Sequence, residues 1–457
     1  MRDRIVSGRS SKPAGRLVRP AGFAMAAIAG LIATQPALAA PYSMARAERA
    51  MQSASQRPDW AAYGDHRAAE ALIDLLATAR LDGLDPSQFK TGSLGKALRR
   101  LDSSDSDDVT AASRTFDEAL VRYVSALRSG AAHGWVVVDP DLAPGRETPK
   151  QILARAAAAP SLADYVANMG FMHPAYASLR RSIQWGELED RSRYGLVRLN
   201  MDRLRMLPAT GRFVLVNAAA QRLEMIDNGH VVDQMKVVVG KAKNPTPVMA
   251  AYIRYAALNP YWEVPPDLAA ERIAPNVVDE GLGYLKKHGY VVLSDWGATP
   301  QTVDPSTVDW KAVADGTIQI RVRQNPGPYN AMGRMKFMFP NREGVYLHDT
   351  PDKQLLQEAA RLFSGGCVRL EDAPRLSKWM FGETLNPKGA GPDERVDLDK
   401  PIPVYIAYLT AMPDGGQIVF YDDIYGRDQS ALAQQGSSEP GVQRSSYSRQ
   451  VATYSSE

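Results

Sequence analysis

The chain is organised around the sequence Val345-Tyr-Leu-His-Asp-Thr-Pro351, a short apolar-periodic segment, and then Phe363-Ser-Gly-Gly-Cys-Val-Arg369. It holds Cys367, the only cysteine in the 457 residues, directly after two glycines and nineteen residues after His348. The Thr-Pro pair supplies cap and first-turn residues of a helix. We therefore predict a strand that ends at His348, a short helix, and a tight glycine turn that returns Cys367 to the strand end.

Cys367 and His348 are a candidate nucleophile and its base. A thiol attacks a carbonyl as the thiolate, so a catalytic cysteine needs a base that takes its proton and then, as a cation, stabilises the anion. The glycines add a second property, because the backbone amides of Gly366 and Cys367 can form an oxyanion hole. The alternative is an inert cysteine in a glycine loop, and these residues alone leave it open.

Length and charge limit the possible functions. A chain of 457 residues is too long for one ordinary core and suggests two or three domains. The net charge is +3, but the first 39 residues carry six basic residues and one acidic residue, so the remainder has a net charge of −2. This balance gives no electrostatic reason to expect nucleic-acid binding.

The first 39 residues have the order of a secretory signal peptide. A basic region ends at Arg19, an apolar run covers 21–33, and Ala37-Leu-Ala39 has the small residues that signal peptidase requires. We predict a signal peptide over 1–39 and a periplasmic location. A retained anchor is the alternative, although the apolar run is shorter than the ~20 residues that span a bilayer. No integral membrane segment is expected after signal removal.

Export changes what the lone cysteine implies. In an oxidising compartment Cys367 has no partner within the chain, so it is a buried small hydrophobe, an intermolecular link or a reactive thiol. The sequence does not distinguish these three states by itself, and it leaves the oligomeric state open.

The first half after the signal is predicted to be helical. Residues 40–59 are rich in Ala, Ser, Gln and Arg and are predicted to be a linker. From 60 to 205 apolar residues recur at helical spacing, as in the segment 116–127 that Gly130 ends. Three histidines in this half lack acidic or sulfur partners at ligand spacing, so no metal site is predicted there: His66, His133 and His173.

Near Leu207-Pro208 the hydrophobic period changes from that of helices to that of strands. Residues 212–217, 221–226 and 230–239 alternate, and Asp227-Asn-Gly229 is a tight hairpin turn. Further strands are predicted over these segments: 318–322, 344–347, 404–408 and 418–421. We predict a mainly β domain over 206–427 with an excursion over 265–316, and a disordered tail over 428–457. The predicted fold class is therefore α+β.

Several blocks of residues together resemble a known family. His348-Asp-Thr-Pro followed by Ser364-Gly-Gly-Cys-Val-Arg369 is similar to the signature of L,D-transpeptidases with a YkuD-type catalytic domain, in which the histidine and cysteine have this order. Further blocks resemble the long YcbB-like branch of that family: Thr246-Pro247, Asn259-Pro-Tyr-Trp-Glu-Val-Pro265, 323–337 and Asp422-Asp-Ile-Tyr-Gly426. The helical half resembles the scaffold region of that branch, and the excursion over 265–316 resembles its capping subdomain.

Two positions depart from the family pattern. Many members have His after the motif serine, where this chain has Gly365, a small residue that the branch tolerates. The segment between Leu179 and Asn200 is too short for the small peptidoglycan-binding module that the branch often carries there. No separate docking module is therefore expected.

The resemblance implies acyl transfer on peptidoglycan stem peptides without a cofactor or metal. Cys367 would attack the carbonyl on the L-centre of diaminopimelate, release the terminal D-alanine and hold the acyl group as a thioester. The amine of a second stem would then form a diaminopimelate-to-diaminopimelate cross-link. L,D-carboxypeptidase activity or D-amino-acid exchange would need the same residues, and the sequence does not separate these reactions.

Four further residues are candidate substrate-binding positions. Tyr346 lies two residues before His348, so on a strand both point to one face, and Tyr346 and Trp262 match substrate-site positions of the family. Arg369 is close enough to Cys367 to bind a substrate carboxylate or steady the thiolate. Ser364 is placed to bond the loop or assist the base. The alternatives are core packing for the aromatic residues, a surface ion pair for Arg369 and turn capping for Ser364.

Two other classes of protein compete with this interpretation. A papain-like or NlpC-type cell-wall peptidase would have its cysteine before its histidine, whereas here no histidine follows Cys367. A non-catalytic wall-binding protein would explain export and a scaffold. It would leave the combination of His348 with Gly-Gly-Cys367-Val-Arg369 unexplained.

Overall fold

The computed structural model describes residues 57–62, 65–186, 191–389 and 391–438. The predicted signal peptide, most of the predicted linker and the chain after 438 lie outside the described residues. Among the helices that are described, none is long and apolar enough to cross a membrane.

A helical region comes first in the described chain. Its helices are α1 (Arg67–Ala77), α2 (Thr91–Arg100), α3 (Ser106–Arg128), α4 (Pro149–Ala157), α5 (Leu162–Ala167), α6 (Pro174–Gln184) and α7 (Tyr194–Leu204). On α3 the predicted apolar stripe of Phe116, Leu120, Val124 and Leu127 is buried. Phe116 stacks on Trp60 with ring centroids 5.3 Å apart. The predicted helical half is therefore confirmed.

The second region is a mainly β domain. Its main-sheet strands are β2 (Arg212–Asn217), β3 (Arg222–Asp227), β4 (His230–Gly240), β5 (Met249–Leu258), β10 (Met335–Met338), β11 (Leu347–His348), β12 (Leu362–Ser364), β13 (Val368–Leu370) and β14 (Glu394–Ala407). The strand order is β5-β10-β11-β13-β4-β3-β2-β14, and β14 also pairs with β5, so the sheet closes on itself. A short strand of the helical region, β1 (Val136–Val137), adds to β5 in parallel.

Strand β2 shows how the two regions share one sheet. Side chains alternate between the faces of a strand, and here Phe213 and Leu215 join the core of the helical region. Val214 and Val216 join the core inside the closed sheet. Because both faces are covered, residues 213–216 of β2 are all apolar, and the alternation expected over 212–217 is not observed although the strand is present. The α+β fold class is confirmed.

The hairpin between β3 and β4 has the predicted turn. Asn228 and Gly229 have φ values of +50° and +80°, which is the left-handed conformation that a tight two-residue turn requires. The register of the hairpin pairs Asp227 with His230. This turn starts β4, the strand that borders the cysteine turn at its far end.

The excursion from the sheet is larger than the predicted 265–316. It starts with β6 (Trp262–Val264) and ends with β9 (Arg321–Gln324), which pair with each other. Between them lie α8 (Pro266–Leu268), a π-helical turn (Ala269–Ile273), α9 (Ala274–Glu280), α10 (Gly283–His288), β7 (Tyr290–Leu293), β8 (Thr302–Val303) and α11 (Trp310–Ala314). The strand predicted over 318–322 begins only at Arg321, because Ile318 is 43% exposed and joins no core. We call residues 262–324 the cap.

The predicted disordered tail over 428–457 begins too early. After β13 come α12 (Ala373–Phe381), the hairpin β15 (Ala411–Asp414) with β16 (Gln417–Phe420), and a helix α13 (Arg427–Ser438). Asp423 accepts hydrogen bonds from the backbone N–H groups of Arg427 and Asp428 and so caps α13. Asp428 is buried and pairs with Arg203 of α7 at 2.6 Å. This tertiary ion pair holds a helix that the Ser/Gln-rich composition did not indicate.

Candidate active site

The sheet brings the segment that contains His348 next to the segment that contains Cys367. Strands β11 and β13 are parallel neighbours, with Leu347 opposite Val368 and His348 opposite Arg369. The Val368 N–H donates to the Tyr346 carbonyl at 3.0 Å. The chain therefore returns to the end of β11 as predicted, although the helix between the strands is a 3₁₀ helix over Lys353–Gln357.

The turn before Cys367 is fixed by hydrogen bonds on both sides. Ser364 accepts from the Gly366 N–H at 3.1 Å and donates its hydroxyl to the Cys367 carbonyl at 2.6 Å. Thr246 donates its hydroxyl to the Gly366 carbonyl at 2.9 Å. Gly366 has φ +121°, which L side chains rarely adopt. The glycine is therefore required by the backbone of the turn.

Cys367 is partly exposed at the surface of a pocket. Its Sγ lies 3.7 Å from the Gly344 carbonyl oxygen, a long hydrogen bond for a thiol donor. Burial among protein atoms raises the pKa of the Cys367 thiol, while the backbone N–H of Tyr346 and the Arg369 guanidinium act in the opposite direction. At neutral pH the resting sulfur is therefore a thiol that needs a base.

His348 has the tautomer that such a base requires. It is 1% exposed, and its Nδ1 lies 2.6 Å from the Asp349 carbonyl oxygen. A carbonyl oxygen only accepts, so Nδ1 carries the proton and Nε2 has the free lone pair. Burial, together with the Arg369 cation, lowers the pKa of His348 to about 3. The imidazole is neutral at physiological pH and can take a proton at Nε2.

One pocket of about 390 Å³ contains both side chains. It is lined by six of the seven residues that the sequence singled out: Trp262, Tyr346, His348, Ser364, Cys367 and Arg369. Gly366 does not line the pocket. Its N–H donates to the Ser364 hydroxyl, so the oxyanion donor expected at Gly366 is not available in this geometry. The serine hydroxyl lies within reach of that amide and satisfies it. Among the described residues, the Cys367 N–H has no such acceptor.

Arg369 is held between an acid and the pocket. Its Nη1 donates to Asp352 at 3.1 Å. The residue is 7% exposed, and its Nε is buried without a hydrogen-bond partner among the described residues. Arg369 also lines the pocket, so its positive charge lies where a ligand carboxylate can bind. Arg369 is thus suited to bind a carboxylate, while its pairing with Asp352 also agrees with the ion-pair alternative.

The pocket has further lining residues that the sequence did not single out, among them Leu268 and Arg272 of the cap and Lys336 of a neighbouring strand. Arg272, in the π-helical turn, donates to the Phe363 carbonyl at 3.0 Å. Lys336 lies opposite His348 in the pairing of β10 with β11. Leu268 covers the cysteine turn: a Cβ atom at Gly365 would lie 3.1 Å from its Cδ1. Lys336 lies in the block 323–337 that resembles the family, whereas no sequence motif marks Arg272 or Leu268 as pocket residues.

Two tyrosines of the cap lie near Trp262 and do not line the pocket themselves. Tyr284 and Tyr290 stack with ring centroids 6.1 Å apart, and Tyr290 is 6.4 Å from Trp262. Tyr290 therefore packs against Trp262 within the cap. Among the described residues, no group of three or more His, Cys, Asp or Glu side chains is placed to hold a metal ion.

Two family models match the chain in the order of these regions. Residues 49–183 match the model described as a scaffold domain. Residues 211–406 match the YkuD model, described as an L,D-transpeptidase catalytic domain. A protein of Haemophilus influenzae, whose name assigns it provisionally to the L,D-transpeptidases, is 32% identical over 238 residues. The match covers 50% of this chain and 47% of that protein, so the chain spans about half the length of this curated relative.

Two solved structures show weaker similarity. The L,D-transpeptidase from Mycobacterium smegmatis is 16% identical with a TM-score of 0.22, over 43% of this chain and 58% of that chain. The Ldtfm carbamoyl enzyme formed with avibactam is 14% identical with a TM-score of 0.21, over 45% and 51% of the two chains. TM-scores of this size support no conclusion about the fold.

The matched ranges correspond to the helical region and to the closed sheet that carries His348 and Cys367. Residues 211–406 therefore belong to the YkuD family of L,D-transpeptidase catalytic domains, and the helical region before them is a scaffold domain.

Proposed function

We propose that the protein is a periplasmic peptidoglycan L,D-transpeptidase that forms diaminopimelate-to-diaminopimelate cross-links through a Cys367 acyl-enzyme. The observation that supports this most strongly is the pairing of a neutral, buried His348 with a partly exposed thiol in one pocket. The signal-like first 39 residues support export.

In the first half-reaction His348 Nε2 accepts the thiol proton while Sγ bonds to the carbonyl carbon on the L-centre of diaminopimelate. The resulting oxyanion accepts a hydrogen bond from the Cys367 N–H. His348 then gives its proton to the nitrogen of D-alanine as the C–N bond breaks. D-Alanine leaves, and a thioester remains on Cys367.

In the second half-reaction the side-chain amine of another stem attacks the thioester. His348 takes the proton that the amine loses and returns it to the sulfur as the C–S bond breaks. Arg369, Lys336 and Arg272 line the pocket together with the acidic residues Glu263, Asp267 and Glu343, and the three cations suit the carboxylates of the stem peptides. Tyr346 and Trp262 form apolar walls that limit access of water.

Incubation of the purified protein with a disaccharide tetrapeptide, followed by mass spectrometry of the products, tests this proposal. Cross-linked dimer with one D-alanine released per link is the expected product, and Cys367→Ala should abolish it. Tripeptide alone would identify a carboxypeptidase, and a tetrapeptide with an exchanged terminal residue would identify D-amino-acid exchange. Binding of peptidoglycan that is equal in wild type and Cys367→Ala, without any product, would favour a structural wall-binding protein.

A further inference from the structure

Thr246 lies directly behind the cysteine turn and is far from it in sequence. It is completely buried, and its hydroxyl accepts from the Gly240 N–H at 2.9 Å while donating to the Gly366 carbonyl at 2.9 Å. One hydroxyl therefore joins the end of β4 to the residue before the nucleophile.

Tyr425 holds the same corner from the C-terminal side. Its hydroxyl donates to the Gly240 carbonyl at 2.8 Å, and its ring stacks on Tyr408 with centroids 5.4 Å apart. Arg427 places its guanidinium 5.1 Å from the centroid of each of these rings and donates to the Thr246 carbonyl at 3.0 Å. The segment that begins α13 is therefore bonded to the residue that holds the turn.

The hydrogen bond to the Gly366 carbonyl has a consequence for the next amide. A peptide unit is planar and trans, so the C=O of Gly366 and the N–H of Cys367 point in opposite directions. Because Thr246 fixes the carbonyl, it also fixes the N–H, which points away from Thr246. That N–H is the oxyanion donor that remains, since Ser364 takes the Gly366 N–H.

We propose that Thr246 is a positioning residue that aims the Cys367 N–H at the reacting carbonyl oxygen, and that Tyr425 supports it through Gly240. This inference rests on the proposed function, because an oxyanion donor matters only if Cys367 forms an acyl-enzyme. The role of Thr246 lies in the acylation step and not in the reactivity of the thiol itself.

Two reactions of Cys367 separate these roles. Acylation by the tetrapeptide donor passes through an oxyanion, whereas alkylation by iodoacetamide displaces iodide without one. Thr246→Val removes the hydroxyl at nearly constant shape, and Thr246→Ser retains it. Ser377→Ala is a matched control, because the Ser377 hydroxyl is fully buried and also joins two backbone groups, the Pro374 carbonyl at 2.8 Å and the Leu385 N–H at 3.1 Å.

Thr246→Val is expected to lower kcat for D-alanine release at least tenfold. Complete removal of an oxyanion donor typically lowers kcat about a hundredfold or more. KM and the alkylation rate should stay within about twofold of wild type, Thr246→Ser should restore kcat, and Ser377→Ala should leave it unchanged. Tyr425→Phe, which keeps the stacked ring, should give a smaller loss of the same kind.

An unchanged kcat in a folded Thr246→Val protein would overturn the inference. An equal loss of kcat and alkylation, or an equal loss in Ser377→Ala, would overturn it as well, because these results indicate general damage to the fold. If Thr246→Val does not fold, Tyr425→Phe decides by the same criteria. A wild-type protein that is alkylated but never acylated would contradict the proposed function, and the inference with it.

Discussion

His348 and Arg369 lie opposite each other on the parallel strands β11 and β13. The guanidinium helps burial to hold the pKa of the imidazole far below its usual value, and it lowers the pKa of the Cys367 thiol. One cation thus keeps the base neutral and eases ionisation of the nucleophile. This pairing links the register of the sheet to the chemistry of the pocket.

Removal of the Arg369 charge should make Cys367 harder to ionise. In Arg369→Gln the thiol loses a neighbouring cation, so its pKa rises and the pH midpoint of iodoacetamide alkylation moves upward. Arg369→Lys keeps the charge and should lie close to wild type, and Arg395→Gln, on the surface with Asp397, should not move the midpoint. A midpoint in Arg369→Gln equal to or below that of wild type would show that the cation does not act on the sulfur.

Acid should destabilise the protein through two buried neutral histidines. The pKa of His173 is lowered to about 4 by burial and the Arg128 cation, and that of His348 is lowered to about 3. As pH falls below about 6.5 the unfolded chain binds these protons and the native state does not, so stability is lost between about pH 6.5 and the folded pKa values. Each group contributes a slope of up to about 1.4 kcal/mol per pH unit.

Denaturant unfolding measured from pH 7 to pH 4 checks this slope. His173→Asn keeps a residue that can cap α6 and removes one of the two protons, so its stability should fall less steeply with acid. His230→Asn, on an exposed strand position, is the control and should parallel wild type. A His173→Asn slope equal to that of wild type would mean that His173 is not buried in its neutral form.

Gly366→Ala should impair both stability and activity. The φ of +121° at this position strains any L residue, which costs about 1–3 kcal/mol. The turn would relax and move the Cys367 amide. Urea midpoints and D-alanine release measure the two effects, with Gly327→Ala as control because a Cβ there meets no atom within 4 Å. Wild-type stability in Gly366→Ala would refute the strained turn.

Glu271 is expected to hold the cap against the cysteine turn. It bonds Lys241 at 2.8 Å and Lys243 at 2.6 Å, and these bonds lower its pKa to about 2. Exposed ion pairs are screened by salt, so Glu271→Gln should raise KM and make KM less dependent on ionic strength. Asp295→Asn, in the distal part of the cap, is the control. A wild-type KM and salt dependence in Glu271→Gln would show that these ion pairs do not affect substrate binding.

The sequence was most informative where the structure is local. The change of hydrophobic period near Leu207-Pro208 and the turn residues Asp227-Asn-Gly229 predicted β2, the hairpin turn and β4, because these signals are properties of neighbouring positions. The spacing from His348 to Cys367 predicted the returning turn for the same reason. The pocket positions of Tyr346 and Trp262 came from the resemblance to the family.

The parts that were missed depend on contacts between distant residues. Thr246 reaches Gly366 across 120 positions, and Arg272 reaches Phe363 across 91. Asp428 is ordered by Arg203 at a separation of 225, which overrides a composition that suggested disorder. The expectation that the Gly366 N–H serves as an oxyanion donor does not hold in this structure, because that N–H donates to the Ser364 hydroxyl. Residue spacing alone does not reveal this contact.

Cys367 is proposed to form a thioester with loss of D-alanine. Intact-mass spectrometry of the purified protein after brief incubation with tetrapeptide donor alone tests it most directly. We expect a mass increase equal to the donor minus D-alanine, located at Cys367 and absent in Cys367→Ala. The proposal would be contradicted if folded wild-type protein with a reactive thiol shows no such adduct while the Cys367→Ala variant still releases D-alanine.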